Sequence, residues 1–135
     1  MLYKGNKHVD SRGVLKFNND FDATKIKRIY LIENSDISFI RGWQGHKIEQ
    51  RWFACVAGKF KIGRMKIDNF EKPSVLLKPE YFELNSNALD FLHIPSGYIT
   101  SIQSLENNSK LLVLADYHIG EIQDEYRFPL DYFIN

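Results

Sequence analysis

The chain has 135 residues, the size of one ordinary domain. Hydrophobic residues make up 44% and charged residues 26%, which argues against intrinsic disorder, and no run of about eighteen apolar residues is present to span a membrane. Eighteen basic and seventeen acidic residues give a net charge of +1, too close to neutral for an electrostatic nucleic-acid binder.

Short apolar runs separated by turn residues predict nine strands. Isoleucine and aromatic residues are frequent and alanine is rare, a bias that favours strands over helices. In chain order the predicted strands are residues 14–17, 27–33, 38–41, 51–57, 59–68, 81–84, 90–94, 99–104 and 110–116. The sequence therefore predicts one all-β domain over residues 1–135, an antiparallel sandwich or barrel.

The tail, the single cysteine and the N-terminus complete this outline. Residues 121–133 are the best helical candidate, although Pro129 interrupts their pattern. The sequence leaves open whether residues 126–135 cover a pocket, pair with a second subunit or pack on their own barrel. Cys55 excludes an internal disulfide and is predicted to be a small buried hydrophobe. The first residues carry no apolar secretory core, which predicts a cytoplasmic protein.

Polar residues cluster in two segments, residues 41–51 and 93–100, where strands are expected to be apolar. Because residues two apart in a strand share a face, Gln44 and His46 are predicted to point the same way. If both side chains point into the interior of a barrel, they need hydrogen-bond partners there. An ordinary hydrogen-bonded histidine is the simpler interpretation of His46.

Two glycines and a tryptophan lie among the polar residues of the first segment. Glycines at positions 42 and 45 remove side chains, which would let a ligand or another backbone approach closely. Trp43, between them, is interpreted as a packing residue rather than as a platform for a ligand.

The spacing of Gly58 and of Pro95-Ser96-Gly97 resembles the two-part motif of the cupin superfamily. This resemblance implies a small antiparallel jelly-roll barrel with its site inside. The residues at the family's metal-ligand positions are Gln44, His46, Arg51 and Thr100. Arg51 is a cation at the position where the family has a glutamate. If Glu49 took that position instead, only two ligands, His46 and Glu49, would be available. Neither a metal nor another cofactor is therefore expected.

A narrower resemblance covers most of the chain. Asp10-Ser11-Arg12-Gly13 resembles the opening motif of the dTDP-4-dehydrorhamnose 3,5-epimerases, and residues 94–98 resemble their Ile-Pro-x-Gly-Phe segment. Residues 41–47 are similar to the Arg-Gly-x-His-Ala-His-Lys segment of the dTDP-4-keto-6-deoxyhexose 3,4-ketoisomerases, and residues 112–117 to their last strand. The tail at 126–132 resembles short sugar epimerase-like proteins of polysaccharide gene clusters.

This resemblance implies metal-free proton transfer beside a sugar ketone, through an enolate, in a homodimer that acts on a nucleotide sugar, with a dTDP-linked one favoured. His46 matches the second histidine of the ketoisomerase pair and is the best candidate for a proton shuttle. Tyr117 lies near the acid tyrosine of the epimerases, with His118 as the alternative by one position. Arg41 matches the arginine that meets the nucleotide diphosphate or the sugar. The other candidate substrate contacts are Gln44, Lys47, Gln50, Arg51, Tyr98 and Thr100.

Gln44 departs from both families, which place a histidine there. An amide does not accept a proton near neutral pH, so the usual base is missing. Either His46 acts alone, or the chain is a catalytically silent cupin that binds a nucleotide sugar or glycan. A third interpretation is a plain β-domain with a protein partner.

Overall fold

The computed structural model describes residues 1–134, and Asn135, the last residue of the predicted domain, lies outside them. The strands of the described residues are β1 (Leu2–Tyr3), β2 (Asn6–Asp10), β3 (Gly13–Phe17), β4 (Arg28–Ile32), β5 (Ile40–His46), β6 (Arg51–Ala57), β7 (Lys59–Lys66), β8 (Glu80–Asn85), β9 (Phe91–Ile94), β10 (Tyr98–Ser104), β11 (Lys110–Ala115) and β12 (Glu125–Arg127). Within residues 1–134 no helix has the length and hydrophobicity that a membrane span requires.

The strands form two five-stranded sheets and one separate hairpin. The first sheet has the order β1-β9-β6-β11-β4 and the second has the order β12-β5-β10-β7-β8. Every strand pair is antiparallel, including the β2–β3 hairpin. The predicted all-β antiparallel class is therefore confirmed.

The apolar core lies between the two sheets. Phe53 and Cys55 of β6 pack in one cluster with Phe60 of β7 and Ile102 of β10. The strand period of two places Arg51 in the same inward row as Phe53 and Cys55, and Thr100 in the row of Ile102. The inward rows thus change from apolar to polar along each strand, and the polar ends form the site described below.

Most predicted strands are confirmed, with three exceptions that have a physical reason. The strand predicted at residues 38–41 instead runs over Ile40–His46, because its polar and glycine residues concealed the strand signal. β2 was not predicted, because all five of its residues are exposed and it lacks the apolar alternation that predicts a strand. β1 and β12 span two and three residues, too few for a pattern.

The best helical candidate of the sequence, residues 121–133, does not form a helix. β12 pairs with β5 in this segment, with Glu125 opposite His46 and Arg127 opposite Gln44. The backbone then continues the pairing, since the N–H of Trp43 donates to Phe128 O at 3.2 Å. Pairing with the edge of β5 gives hydrogen-bond partners to backbone N–H and C=O groups. A helix interrupted by Pro129 would leave some of these groups without a partner.

The end of the tail packs on the outer face of the second sheet of its own barrel. Phe133 meets Trp43 edge to face, with the ring centroids 6.0 Å apart. Met65, Ile67 and Ile99 complete this outer cluster. Trp43 is therefore a packing residue, as predicted, and the end of the tail packs on its own chain, while Arg127 of the same tail lines the cavity described below.

Cys55 is buried in the core, as predicted. Its thiol points at the backbone oxygens of Ala57 and Gly58, each 3.2 Å from Sγ. Burial raises the pKa of the Cys55 thiol to about 11, so it stays protonated and unreactive at neutral pH.

Candidate active site

A bulge in β5 brings the polar residues of this strand to one face. Thr100 of β10 pairs with Gln44, but Ile102 pairs with Arg41, so two β5 residues oppose one residue of β10. Strict alternation would turn Arg41 away from Gln44, because the two are three residues apart. With the bulge, Arg41, Gln44 and His46 all line the same cavity.

This cavity, between the polar ends of the two sheets, has a volume of about 440 Å³. The charged side chains that line it, apart from His46, are Arg28, Arg41, Arg51, Arg127, Glu33 and Glu125. Four guanidinium groups against two carboxylates suit an anionic ligand, because arginine binds phosphate oxygens through paired N–H donors. We call it the arginine cavity.

Arg51 is the buried cation of the arginine cavity. Its guanidinium donates to the backbone oxygen of Gln44 at 3.3 Å and lies 5.3 Å from the ring centroid of Phe53. Burial lowers the pKa of this guanidinium, while Tyr30 and Glu49 act in the opposite direction. Because a guanidinium carries five N–H donors, Arg51 retains donors for an anion in the cavity.

His46 ends β5 and is held between two buried carboxylates. Its Nδ1 is hydrogen-bonded to Asp124 Oδ1 at 2.9 Å, and its Nε2 lies 3.1 Å from Glu49 Oε2. The imidazole itself is 13% exposed. The bond to Asp124 fixes the ring and leaves Nε2, beside Glu49, as the nitrogen that can exchange a proton with a ligand.

Asp124 organises the chain that follows β5. Its Oδ2 accepts the backbone N–H groups of Ile48 and Glu49, each at 2.8 Å. Burial acts to raise the pKa of the Asp124 carboxyl, but these bonds and the bond from His46 outweigh it and hold that pKa below its usual value. Asp124 is therefore an ionised anchor for the His46 ring at neutral pH.

The pKa of Glu49 is shifted in the opposite direction to that of Asp124. Burial raises the pKa of its carboxyl and the nearby Asp124 acts in the same direction, whereas His46 and Arg51 act to lower it. Glu49 therefore holds a proton up to a higher pH than an exposed glutamate does.

A second cavity, of about 570 Å³, lies on the other side of His46. The titratable residues that line it are His46, Glu49, His118, Asp124 and Glu125, besides Arg28. We call it the acidic cavity. Arg28, His46 and Glu125 line both cavities, so His46 stands at the boundary between a basic and an acidic compartment.

The structure brings together six of the ten predicted site residues. Those that line the arginine cavity are Arg41, Gln44, His46, Arg51 and Thr100. His118 joins His46 at the acidic cavity. The four that line neither cavity are Lys47, Gln50, Tyr98 and Tyr117.

Lys47 and Gln50 follow β5, where the strand alternation ends. The Lys47 side chain is exposed. Gln50 belongs to a separate network, because its backbone N–H donates to Asp116 Oδ1 at 2.8 Å and its side-chain oxygen lies 2.7 Å from His93 Nε2. These contacts hold Gln50 away from the cavities.

Tyr98 and Tyr117 are held by other neighbours. Tyr98 packs against the apolar core, with the guanidinium of Arg64 5.4 Å from its ring centroid. The Tyr117 ring lies 5.8 Å from the ammonium of Lys27. Neither ring supplies a wall to the cavities beside His46.

The residues at the cupin metal positions do not fit a divalent ion. Arg51 is a cation, and the Nδ1 of His46 is already bonded to Asp124. Gln44 and Thr100 are neutral groups without the charge that a divalent ion requires. Among residues 1–134 no group of three or more histidine, cysteine or acidic side chains is arranged to hold a metal.

Sequence reasoning missed Asp124 and did not assign Glu49 a role. Glu49 lies three residues after His46, a visible spacing, but it falls outside the strand to which an alternation argument applies. Asp124 is 78 residues from His46, and no local pattern joins the two. Arg28 and Arg127 were missed for the same reason, since only the sheet packing brings β4 and β12 to β5.

Comparisons with known proteins agree with this architecture. The family model described as FdtA: WxcM-like, C-terminal matches residues 2–133. No curated protein sequence matches the chain.

Solved structures share the fold over nearly the whole chain. QdtA, a sugar 3,4-ketoisomerase from Thermoanaerobacterium thermosaccharolyticum solved with TDP, is 26% identical, covers 98% of this chain and 90% of its own, and has a TM-score of 0.72. The WlaRB TDP-quinovose 3,4-ketoisomerase from Campylobacter jejuni is 22% identical, covers 100% and 97%, and has a TM-score of 0.69. The dTDP-4-dehydrorhamnose 3,5-epimerase from Bacillus anthracis is 12% identical, covers 96% and 78%, and has a TM-score of 0.73.

These likenesses confirm the predicted jelly-roll, cupin-like fold and the resemblance to sugar ketoisomerases and epimerases. The family model spans all but three residues at the ends of the chain, and it covers every strand that forms the two cavities. The chain therefore belongs to the FdtA family, described as WxcM-like, C-terminal.

Proposed function

We propose that this chain is an isomerase of a nucleotide-linked 4-keto-6-deoxy sugar, with a dTDP-linked sugar favoured, and that it moves the ketone between neighbouring carbons through an enolate. The broader prediction, an enzyme of the nucleotide-sugar isomerase and epimerase class, is confirmed by the family match and by the likeness to QdtA. The choice of ketone migration over epimerisation follows the likeness to the 3,4-ketoisomerase QdtA and the Arg41–Lys47 segment.

The observation that carries this proposal is the position of His46. Its ring is fixed by Asp124 at 2.9 Å and stands at the boundary between the arginine cavity and the acidic cavity. A diphosphate bound by the arginines would place the attached sugar beside His46. QdtA has been solved with TDP-4-keto-6-deoxyglucose, a ligand of that chemistry.

The reaction follows from these positions. A ketone makes the hydrogen on the adjacent carbon acidic, and His46 Nε2 removes it as a base. The electron pair of the broken C–H bond becomes a C=C bond, and the carbonyl oxygen takes the negative charge of an enolate. Arg41 and Arg51 hold the phosphates, and Arg28, which lines both cavities, stabilises the enolate charge.

The test is proton NMR of dTDP-4-keto-6-deoxyglucose in D₂O with the purified protein. We expect the ketone to migrate to C3 and deuterium to enter at C4 of the product, with deuterium at C3 only in substrate that re-forms from the enolate. Exchange at both C3 and C5 would instead identify an epimerase. His46→Asn should abolish exchange while the melting temperature stays near that of the wild type, and unchanged rates would refute the role of His46.

A catalytically silent binding protein is the second candidate, and Gln44 favours it. This amide occupies the family's histidine position and lines the arginine cavity. Under this alternative the thymidine signals would broaden or shift without any exchange, and Gln44→His would create turnover. Turnover by the unchanged chain rejects this candidate.

We also infer that the chain acts as a homodimer. Val9 and Val14 form a cross-strand pair on the β2–β3 hairpin, and they are 61% and 56% exposed. Leu15 of the hairpin and Ile29 of edge strand β4 are 63% and 65% exposed. Apolar side chains on a projecting hairpin and beside a sheet edge are typical of an interface between copies. A role in polysaccharide biosynthesis and the cytoplasmic location stay predictions of the sequence.

A further inference from the structure

Glu49 is a buried carboxyl group in direct contact with His46. Its Oε2 lies 3.1 Å from His46 Nε2. The residue is 6% exposed and lines the acidic cavity. A carboxyl group that contacts the His46 ring and also lines a cavity is placed to exchange a proton with a ligand in that cavity.

Gln44 supplies the second observation. A ketone shift requires proton transfers at oxygen as well as at carbon, so one proton carrier is not sufficient. Gln44 lines the arginine cavity beside His46, but an amide neither gives nor takes a proton near neutral pH. A second carrier must therefore come from another residue that reaches the His46 ring.

We propose that Glu49 is the second proton-transfer residue of this site, and that it protonates the ketone oxygen while His46 removes the carbon-bound proton. The inference rests on the proposed isomerase function. It assigns the sugar ring to the acidic cavity, where Glu49 and His46 both line the wall.

The step is balanced in protons and electrons. His46 takes the proton from the carbon next to the ketone, the C–H electron pair forms C=C, and the carbonyl oxygen takes the Glu49 proton to give an enediol. The Glu49 carboxylate then takes the proton of the other hydroxyl group, whose O–H electron pair forms the new C=O bond. The C=C pair takes the proton back from His46 at the carbon that carried the first ketone. Both residues return to their starting state.

The surroundings of Glu49 suit an acid that must start protonated. The charged or titratable groups that act on it are His46, Arg51, Asp124 and Arg28. Burial and Asp124 favour the protonated carboxyl, while the other three oppose them. The 3.1 Å contact also lets Glu49 and the His46 Nε2 exchange a proton between turnovers.

The experiment compares Glu49→Gln with the wild type in two readouts, ketone migration and deuterium entry at C3. We expect migration to fall by roughly 100-fold or more, and exchange at C3 to fall much less because His46 still removes that proton. Glu83→Gln, the same change on an exposed side chain of β8, is the control and should match the wild type. TDP binding measured by calorimetry should be equal in all three proteins.

The pH dependence separates an acid from a structural group. The rate of ketone migration by the wild type should fall as the pH rises through the pKa of Glu49. This decrease is the alkaline limb of the pH profile, and Glu49→Gln should not show it. Glu49→Asp restores a carboxyl at the same place, so it should recover part of the rate together with the limb. This variant also keeps the test decisive if Glu49→Gln folds poorly.

The outcomes distinguish a failure of the proposed isomerase function from a failure of the role proposed for Glu49. A wild type that neither exchanges nor migrates the ketone overturns the proposed function and this inference together. A wild type that migrates the ketone while Glu49→Gln does so at the same rate overturns the inference alone. An equal loss of exchange and migration, with no change in the alkaline limb, also overturns it, because that pattern indicates a structural role.

Discussion

At the scale of single residues, the site depends on two buried carboxyl groups whose pKa values are shifted in opposite directions. Asp124 is held ionised by two backbone N–H groups and the His46 ring, whereas Glu49 is pushed towards its protonated form by burial. Opposite pKa shifts on either side of one imidazole are typical of sites that move protons.

The residue-scale prediction concerns Asp124→Asn. The folded-state pKa of Asp124 is below its usual value, so its contribution to stability is present at neutral pH and is lost as the pH falls through that folded pKa. Asparagine presents N–H donors to groups that are already donors, so we expect the free energy of unfolding at pH 7 to fall by roughly 2–3 kcal/mol.

Urea denaturation at pH 7 and at pH 3 measures this effect. The difference between variant and wild type should shrink at the lower pH. Asp131→Asn, an exposed change in the same tail, serves as the control and should stay within about 0.5 kcal/mol of the wild type. Equal stability of Asp124→Asn and wild type at pH 7 would contradict the role of Asp124 as an anchor.

At the scale of elements, β5 does most to build the site. Its bulge turns Arg41 to the same face as Gln44 and His46, and its free edge accepts β12. Its glycines allow this packing. A Cβ atom at Gly45 would lie 2.0 Å from the backbone oxygen of Tyr98, so the close approach that the sequence suggested here is that of the chain's own backbone.

The element-scale prediction compares two glycine variants of β5. Gly45→Ala forces β5 away from β10, since the obstacle is backbone, and should lower the free energy of unfolding by about 3 kcal/mol or more. Gly42→Ala meets the Leu130 side chain of the tail at 2.8 Å, which can move, and should cost less. Chemical denaturation of both variants gives the comparison, and equal losses would mean that the strand approach is not the constraint.

At the scale of the whole molecule, the space between the two sheets has an apolar end and a polar end. One end is filled by the apolar cluster around Phe53 and Phe60, and the other is left to Arg51, Thr100 and the two cavities. The apolar end supplies the stability that offsets the burial of charged groups at the other end. The hairpin, outside both sheets, exposes Val9, Val14 and Leu15.

The prediction at this scale is a dimer that the hairpin holds together. The wild type should have about twice its chain mass of 15.9 kDa in size-exclusion chromatography with light scattering. Val9→Lys combined with Val14→Glu keeps a favourable cross-strand pair but removes the apolar surface, and it should give a monomer. Leu76→Lys, at a site 70% exposed outside the hairpin, should leave the mass unchanged. A monomeric wild type would contradict the proposed homodimer.

The sequence by itself determined the β class, most strand positions, the buried cysteine and the family. Strand period and turn residues are local, so β6 runs over the predicted residues, and the motif around His46 lies within seven consecutive positions. The family resemblance, and not a local pattern, is what grouped Arg41, Gln44, His46, Arg51 and Thr100 in advance, since Thr100 is far from the others in the chain.

Only the tertiary structure decided what surrounds His46. Asp124 reaches it from 78 residues away, through a tail whose pattern suggested a helix, and β12 gains its strand form from the edge of β5. The bulge that turns Arg41 inward exists only when β5 meets β10. Contacts between distant segments depend on how the sheets pack, and no local pattern of residues contains that information.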